Sequence, residues 1–424
     1  MNQLDPSSQK QKWTNSVNAS KTTQCQDQPT STALAGIKVL DLSRFIAGPH
    51  CGMLLGDLGA DVIKIETVGK GENTRTFSPQ LDGESIYTMV FNRNKRSLTL
   101  NFRDAEGQDI LRDLVAKADV VIENFVPGTL EKMGCGWETV SKINPRLIMT
   151  RISGFGSTGP YSNRPCFDVV AQAMTGLMDI TGSDDGSPMM AGTFVVDYAT
   201  ALYAAVGTLA AVHHRERTGQ GQVVEATLLS SAMSMLMTAI PDQLLFGRTM
   251  TRMGNRDRFN APGNTFRTSE GHWILVITVG DEKFRELANC MGRLDLLDDP
   301  LFSTNAARMK NVDAIEGIVQ AWASNRTTAE ILPLLESRGI PCTKVATVAD
   351  LVKDPHVIAR KQILELPQAS GPVPVQGFAI ALGETPMNLR YPCPSVGEHC
   401  SEVLTEWLGL DEERIASLRE RRIV

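Results

Sequence analysis

The segment from Gly36 to Glu66 constrains this chain most. Ile37-Lys-Val-Leu-Asp41 is a short apolar run with strand character. Ala47 to Ala60 carries helical spacing through Met53, Leu54 and Leu58, with Gly59 at its close. Asp61-Val-Ile-Lys-Ile-Glu66 is a second strand. A strand, a helix and a strand within about 30 residues predict a parallel pair joined by a right-handed crossover. The pattern then repeats. Asp104 can cap a helix whose apolar stripe is Ile110, Leu111, Leu114 and Val115. Asp119-Val-Val-Ile-Glu123 follows as a strand. A helical stretch from Trp137 stops before Pro145, and Leu147 to Ile152 is the next strand. The N-terminal half is therefore expected to be a doubly wound α/β domain.

Composition narrows the function. The 424 residues are 42% hydrophobic and 21% charged, with a net charge of −6 and no basic block of the kind that tracks nucleic acid. Eight cysteines form no CxxC pair and no Cys/His spacing typical of zinc, so reduced thiols, a cytoplasmic location and no metal are expected. Apolar runs fall short of the roughly 18 residues that cross a bilayer. Residues 1–34 are rich in Gln, Ser, Thr and Asn and are expected to be a disordered polar tail.

Candidate chemistry has to be weighed residue by residue. Gly154-Phe-Gly156-Ser-Thr-Gly159 matches a dinucleotide fingerprint, but loop sequence follows where a helix should open. These glycines are read as letting backbone pack closely. Asp197 precedes a long Ala/Leu-rich helix, expected from Tyr198 to about Arg217. It reads as its N-cap, a position that would also suit an ionised nucleophile. Asp168 lies in the apolar run Cys166-Phe-Asp-Val-Val-Ala-Gln172 and needs a partner if buried; capping and active-site positioning are both open. Arg93, Lys95, Arg96, Arg103, Lys132 and Arg164 read singly as solvated charges, and together they suit a phosphate-bearing ligand. His213 and His214, with Arg215 and Arg217, suit the negative pole of a helix end. No Ser/His/Asp set or HExxH motif is present.

A series of ordered landmarks resembles the family III CoA-transferases, the group of formyl-CoA transferase and carnitine CoA-transferase. They run from Gly36-Ile-Lys-Val-Leu-Asp-Leu with Ala47-Gly-Pro49, through Leu58-Gly-Ala-Asp-Val-Ile-Lys-Ile-Glu66, Asn94-Lys-Arg-Ser97 and Val121-Ile-Glu-Asn-Phe-Val-Pro-Gly128, to Phe167-Asp-Val-Val-Ala-Gln-Ala173. Thr218-Gly-Gln-Gly-Gln-Val223, Ile340-Pro-Cys342 and Gly397-Glu-His399 complete the set.

The resemblance implies a Rossmann-like large domain with a parallel sheet, built from both chain ends, a smaller α+β middle domain and an interlocked homodimer. On that plan residues 35–228 form the first part of the large domain and 229–252 a linker helix. Residues 253–350 form the small domain, 351–375 a second linker, and 376–424 return to the large domain. The resemblance also implies transfer of CoA between carboxylic acids, with acyl-CoA as substrate and no tightly bound cofactor. Asp197 would be the nucleophile and Asp168 the acidic positioning residue beside it. The CoA contacts it implies are Phe45, Ile46, Ala47, Leu100, Arg103, Asn124, Phe125 and Lys132, with Arg164 near a family basic position. Partners would be acyl-CoA and small carboxylic acids, with no nucleic acid or membrane. Formyl-CoA transferase has a glutamine where Ile46 stands and a glycine run near Asn260-Ala-Pro-Gly-Asn264. These departures point away from oxalate and formate and towards dicarboxylates such as succinate. An acyl-CoA racemase on the same fold is the alternative, but it needs a histidine where Phe167 stands.

Overall fold

The computed structural model describes residues 32–424, so nearly all of the polar tail expected over 1–34 lies outside the described residues. Six strands form one parallel sheet: β1 Lys38–Asp41, β2 Asp61–Glu66, β3 Lys95–Thr99, β4 Val120–Glu123, β5 Ile148–Ser153 and β6 Gln222–Thr227. Their order is β3-β2-β1-β4-β5-β6, and every neighbouring pair is parallel. The order reverses between β1 and β4, which opens a crevice at the carboxyl ends of those strands.

Both faces of the sheet are covered. On one face lie α1 (Ala47–Asp57) and the long α6 (Val195–Thr218), with Leu55, Val39, Ile122, Ala201 and Ala204 in the shared core. On the other lie α3 (Ala105–Lys117) and the C-terminal helices α12 (Cys400–Leu408) and α13 (Glu412–Glu420). Leu111, Leu114, Val403, Trp407 and Leu418 pack there with Leu40 and Leu98. The chain end thus returns to the first domain. Small residues on α6 allow the close approach: Ala201, Ala204 and Thr208 are fully buried. By length and composition α6 would also qualify as a bilayer span, contrary to the expectation that no run was apolar enough; its inner face is spent on the sheet and α1.

The middle of the chain builds a separate core. A three-stranded antiparallel sheet (β7 Gly263–Arg267, β8 Trp273–Ile277, β9 Cys342–Lys344) packs with α9 (Gly280–Met291), α10 (Val312–Ala323) and α11 (Thr328–Ser337) around Phe284, Ile315 and Leu335. Thr327 and Glu330 form the expected capping box of α11. Residues 351–375, expected as a linker, hold most of a hairpin, β10 Ile363–Gln368 with β11 Gly371–Gln376. Its Leu366, Val373 and Val375 bury against Met89 of α2 (Ile86–Asn92). In place of one linker helix over 229–252 stand α7 (Leu228–Ser234) and α8 (Ala239–Phe246).

Two readings of charge need correcting. Arg93, Lys95 and Arg96 are not solvated but buried. Arg93 pairs with Asp57 at 2.7 Å, Lys95 with Asp41 at 2.7 Å and Arg96 with Asp61 at 2.7 Å, while Glu402 and Glu406 of α12 also hold Arg96. Arg96 and Arg93, which also donates to Gln376 O at 3.0 Å, tie the start of the domain to its returning end. A buried charge without such a partner costs several kcal/mol, so none of the three is available to a ligand.

Candidate active site

The loop between β1 and α1 is held from beneath. Burial works to raise the pKa of Asp41, but Lys64 and Lys95 beside it hold the carboxyl at about 2. Lys64 also lies 3.6 Å from Glu72, and Glu72 accepts the backbone N–H of Phe45 at 3.1 Å. Phe45 adopts a left-handed backbone, φ 67°, uncommon outside glycine. Asn124 pins the neighbouring residue from the β4 side. Its Oδ1 accepts from Arg44 N at 2.8 Å and its Nδ2 donates to Arg44 O at 2.7 Å. Strain held by a surrounding network in this way is a common mark of functional loops.

Asp197 comes from the opposite side. The helix α6 begins at Val195, three residues before the expected start, so Asp197 is its third residue and not its N-cap. The capping group is Asp168, from 29 residues earlier in the chain. Asp168 opens α5 (Asp168–Met174) and is 1% exposed. Its Oδ2 accepts from Val196 N at 2.7 Å and from Asp197 N at 3.0 Å, while its Oδ1 accepts from Gln172. Gln172 in turn accepts from Ala191 N at 2.9 Å, which ties down the loop before α6. Asp168 therefore fills the capping role, and the same two bonds fix the backbone of Asp197.

This arrangement sets the electrostatics. Burial first, and then the charge of Asp168, push the Asp197 carboxyl up to about 7. The helix start, expected to favour the ionised form, is outweighed here by burial and by Asp168. The α6 amides that would have favoured the charge already donate to Asp168, and Val195 N donates to Thr193 O. The Asp197 carboxylate itself accepts no hydrogen bond from the described residues. At neutral pH it is a poorly solvated, unusually basic carboxylate.

Asp197 opens into a cavity of about 310 Å³ lined by Phe45, Ile46, Ala47, Asn124, Phe125 and Arg164, together with Cys166 and Phe167. Seven of the eleven residues expected at the site thus share one space. Arg164 stacks over Tyr161, 3.8 Å from its ring centre. Phe45, Phe125 and Phe167 put rings on the cavity wall; Phe167 contacts Phe45 at 5.6 Å, and ring contacts continue away from the cavity through Phe77 (6.5 Å from Phe45) to Tyr87 (5.6 Å from Phe77), with His50 on Tyr198 at 4.8 Å elsewhere. The glycine motif behaves as read: a Cβ at Gly154 would meet that of Cys166 at 2.2 Å, and the residues that follow form a loop. Phe167 puts no proton carrier next to Asp168.

A second cavity, about 890 Å³, adjoins the first at the Arg44 side chain, whose guanidinium lies 5.0 Å from the Phe125 ring centre. Arg44, Lys70, Arg103 and Arg422 line it, and no side-chain carboxylate does. Arg103 was expected; Arg44, Lys70 and Arg422 were missed. Adjacency to Phe45 was a usable signal for Arg44. Nothing local marked Arg422, which reaches the site only because the chain end folds back. Two expected contacts line neither cavity. Leu100 is fully buried in the core, and Lys132 lies exposed at the end of the short helix α4 (Thr129–Lys132) after β4, beside Met133 of the second cavity.

Comparison with known proteins settles the family. The model of CoA-transferase family III matches residues 34–400. The chain belongs to CoA-transferase family III. It is 37% identical to the succinyl-CoA–D-citramalate CoA-transferase of Chloroflexus aurantiacus, over 92% of this chain and 98% of that protein. It is 34% identical to the human succinyl-CoA:glutarate CoA-transferase, over 92% and 90% of the two chains. Among solved structures, a CAIB/BAIF family protein from Brucella suis superposes with a TM-score of 0.80 at 36% identity, covering 90% of this chain and all of that one. This CoA-transferase therefore works on CoA thioesters.

Proposed function

We propose that this enzyme moves CoA between dicarboxylic acids, with Asp197 as the covalent nucleophile. The observation that carries the reading is the position of Asp197: a basic, poorly solvated carboxylate at the wall of a narrow cavity, backed by a buried second carboxylate. Ionised Asp197 attacks the thioester carbonyl carbon, and CoA leaves as the thiolate, giving a mixed anhydride. The thiolate then attacks the aspartyl carbonyl, releasing the donor acid and leaving an aspartyl-CoA thioester. The acceptor carboxylate attacks that thioester and the steps reverse. Each exchange swaps one activated acyl for another, so no single step is steep.

The donors that stabilise the oxyanion are read as the backbone N–H groups of Ile46 and Ala47. Both residues line the cavity at the start of α1, and neither amide donates to an acceptor among the described residues. The start of α6 is excluded from this role because Asp168 occupies its amides. Phe45, Asn124, Phe125 and Arg164 are read as the walls that hold the pantetheine arm, with Arg44 and Arg103 beyond them at the phosphates.

Dicarboxylates are supported by the relatives, which include enzymes named for succinyl-CoA with citramalate, malate, glutarate or mesaconate. The same reading includes a homodimer. Leu244, Leu245 and Phe246 of α8 are 78%, 72% and 64% exposed, and Leu202, Tyr203 and Val206 face outward from α6. Apolar surface of that extent marks an interface. A cytoplasmic location is also part of it, resting on the absence of any disulfide among the seven described cysteines.

The deciding experiment incubates the enzyme with a panel of acyl-CoAs, traps with hydroxylamine and maps the peptides by mass. The expected product is a hydroxamate on Asp197. Turnover with succinyl-CoA and no label at that residue would refute the assignment.

A further inference from the structure

The second cavity holds four cations with no acid among their lining neighbours, and one of them comes from the far end of the chain. Other arginines of that segment are spent on structure: Arg414 and Arg421 pair with Glu106, and Arg419 donates to Ser401. Arg422 does neither. Its side chain has no ion pair or hydrogen bond among the described residues, and it lines the cavity beside Arg103.

The backbone places it there. Ile423 and Val424 are 3% and 6% exposed, anchored in the core. Asn101 N donates to Ile423 O at 2.9 Å, and Ile423 N to Leu418 O at 2.8 Å. Arg422 sits between α13 and this anchor in a left-handed conformation, φ 54°, with its N–H donating to Arg419 O at 2.9 Å. The left-handed turn at Arg422 is the ordinary stop of α13, closed by the Arg422 N–Arg419 O and Ile423 N–Leu418 O bonds; it fixes where the side chain starts, and the guanidinium, unpaired among the described residues, lines the cavity and is left for an anionic ligand.

The cations are also ordered along the cavity. Arg44 is the inner one, since its backbone is bonded to Asn124 and its guanidinium lies over Phe125, both lining the cavity of Asp197. Arg103 and Arg422 form the outer pair, joined through the Asn101–Ile423 hydrogen bond. A thioester whose carbonyl lies at Asp197 extends its pantetheine arm past Phe125, its diphosphate towards Arg44 and its ribose phosphate furthest out.

We propose that Arg422 is the residue by which this enzyme recognises the ribose 3′-phosphate, and so distinguishes CoA thioesters from their 3′-dephospho counterparts. The inference rests on the reading that Asp197 receives the thioester. Arg422→Ala, and Arg422→Gly, which keeps the left-handed backbone, are expected to raise KM for a CoA thioester about tenfold. The effect falls on KM rather than kcat, and KM for the 3′-dephospho thioester stays within about twofold. Binding of adenosine 3′,5′-bisphosphate against adenosine 5′-monophosphate gives a measurement on the unaltered enzyme; the former should bind at least about tenfold more tightly. Equal rises in KM for both thioesters, no rise in either, or equal affinity for the two nucleotides would overturn the proposal. If the unaltered enzyme turned over no CoA thioester, the nucleophile reading would fall, while the nucleotide comparison would still decide the role of Arg422.

Discussion

The two cavities use charge in opposite ways. The inner one carries the acidic pair Asp197 and Asp168 within an aromatic wall; the outer one is lined by Arg44, Lys70, Arg103 and Arg422 with no side-chain carboxylate. In the outer cleft the cations have no carboxylate among the lining residues, and on the proposed reading they attract phosphate and set affinity. In the inner chamber a carboxylate is kept short of water and donors and pressed by a second one, which raises its basicity and sets reactivity. On the proposed reading, one ligand is gripped at one end by strong charge pairing and left weakly held at the reacting end, where tight ground-state binding would not speed the chemistry.

The sharpest test removes the inner charge. Asp197→Asn should lower the rate of labelled acid entering thioester by on the order of 10³-fold or more, with little change in CoA affinity. A fall confined to KM would erase the distinction between the two regions. The pH profile comes next. With Asp197 near 7, kcat/KM should fall about tenfold per pH unit on the acid side of that value and level off above it. Asp168→Asn removes the neighbouring charge and should move the acid limb down by about one unit. Asp168→Ala should also lower stability by about 1–3 kcal/mol, because the buried Val196 and Asp197 amides lose their acceptor.

Outer-cleft variants should behave differently. Arg44→Ala and Arg103→Ala are each expected to raise KM for acyl-CoA about tenfold, with an effect that shrinks as salt rises and a pH limb that stays in place. The smallest effect concerns stability. Because the folded pKa of Asp197 is raised, its ionisation costs the fold nothing below the unfolded value, increasingly more as pH climbs to about 7, and a constant amount above. Asp197→Asn should therefore raise the melting temperature at pH 8 by a few degrees, on the order of 2 kcal/mol, and by much less at pH 4. An equal gain at both pH values would show that the inner carboxylate is not strained.

Much of this was legible in the sequence where the signal was local. The Ile37–Glu66 unit, the cap at Asp104 and the capping box at Thr327 all stand where periodicity and capping chemistry put them. The misreadings share a cause. Arg93, Lys95 and Arg96 read as solvated charges, yet they lie at or near full burial because Asp57, Asp41, Asp61 and two glutamates of α12 pair with them. The start of α6 was misplaced for the same reason, since its capping group is not adjacent to it.

The amino-acid sequence by itself determined the strand–helix alternation, hence the parallel sheet and its crevice, because those follow from spacing and from short-range capping. It also carried the landmarks that place Asp197 and Asp168 near each other. Only the tertiary structure decided which charges are free and which are consumed. Arg93 and Arg422 are the same residue type, yet one is locked to Asp57 in the interior and the other points unpaired into a cleft. The same holds for the two aspartates: which one caps and which one reacts depends on solvent access and on whose amides lie within hydrogen-bonding reach, and neither quantity is encoded in nearest neighbours along the chain.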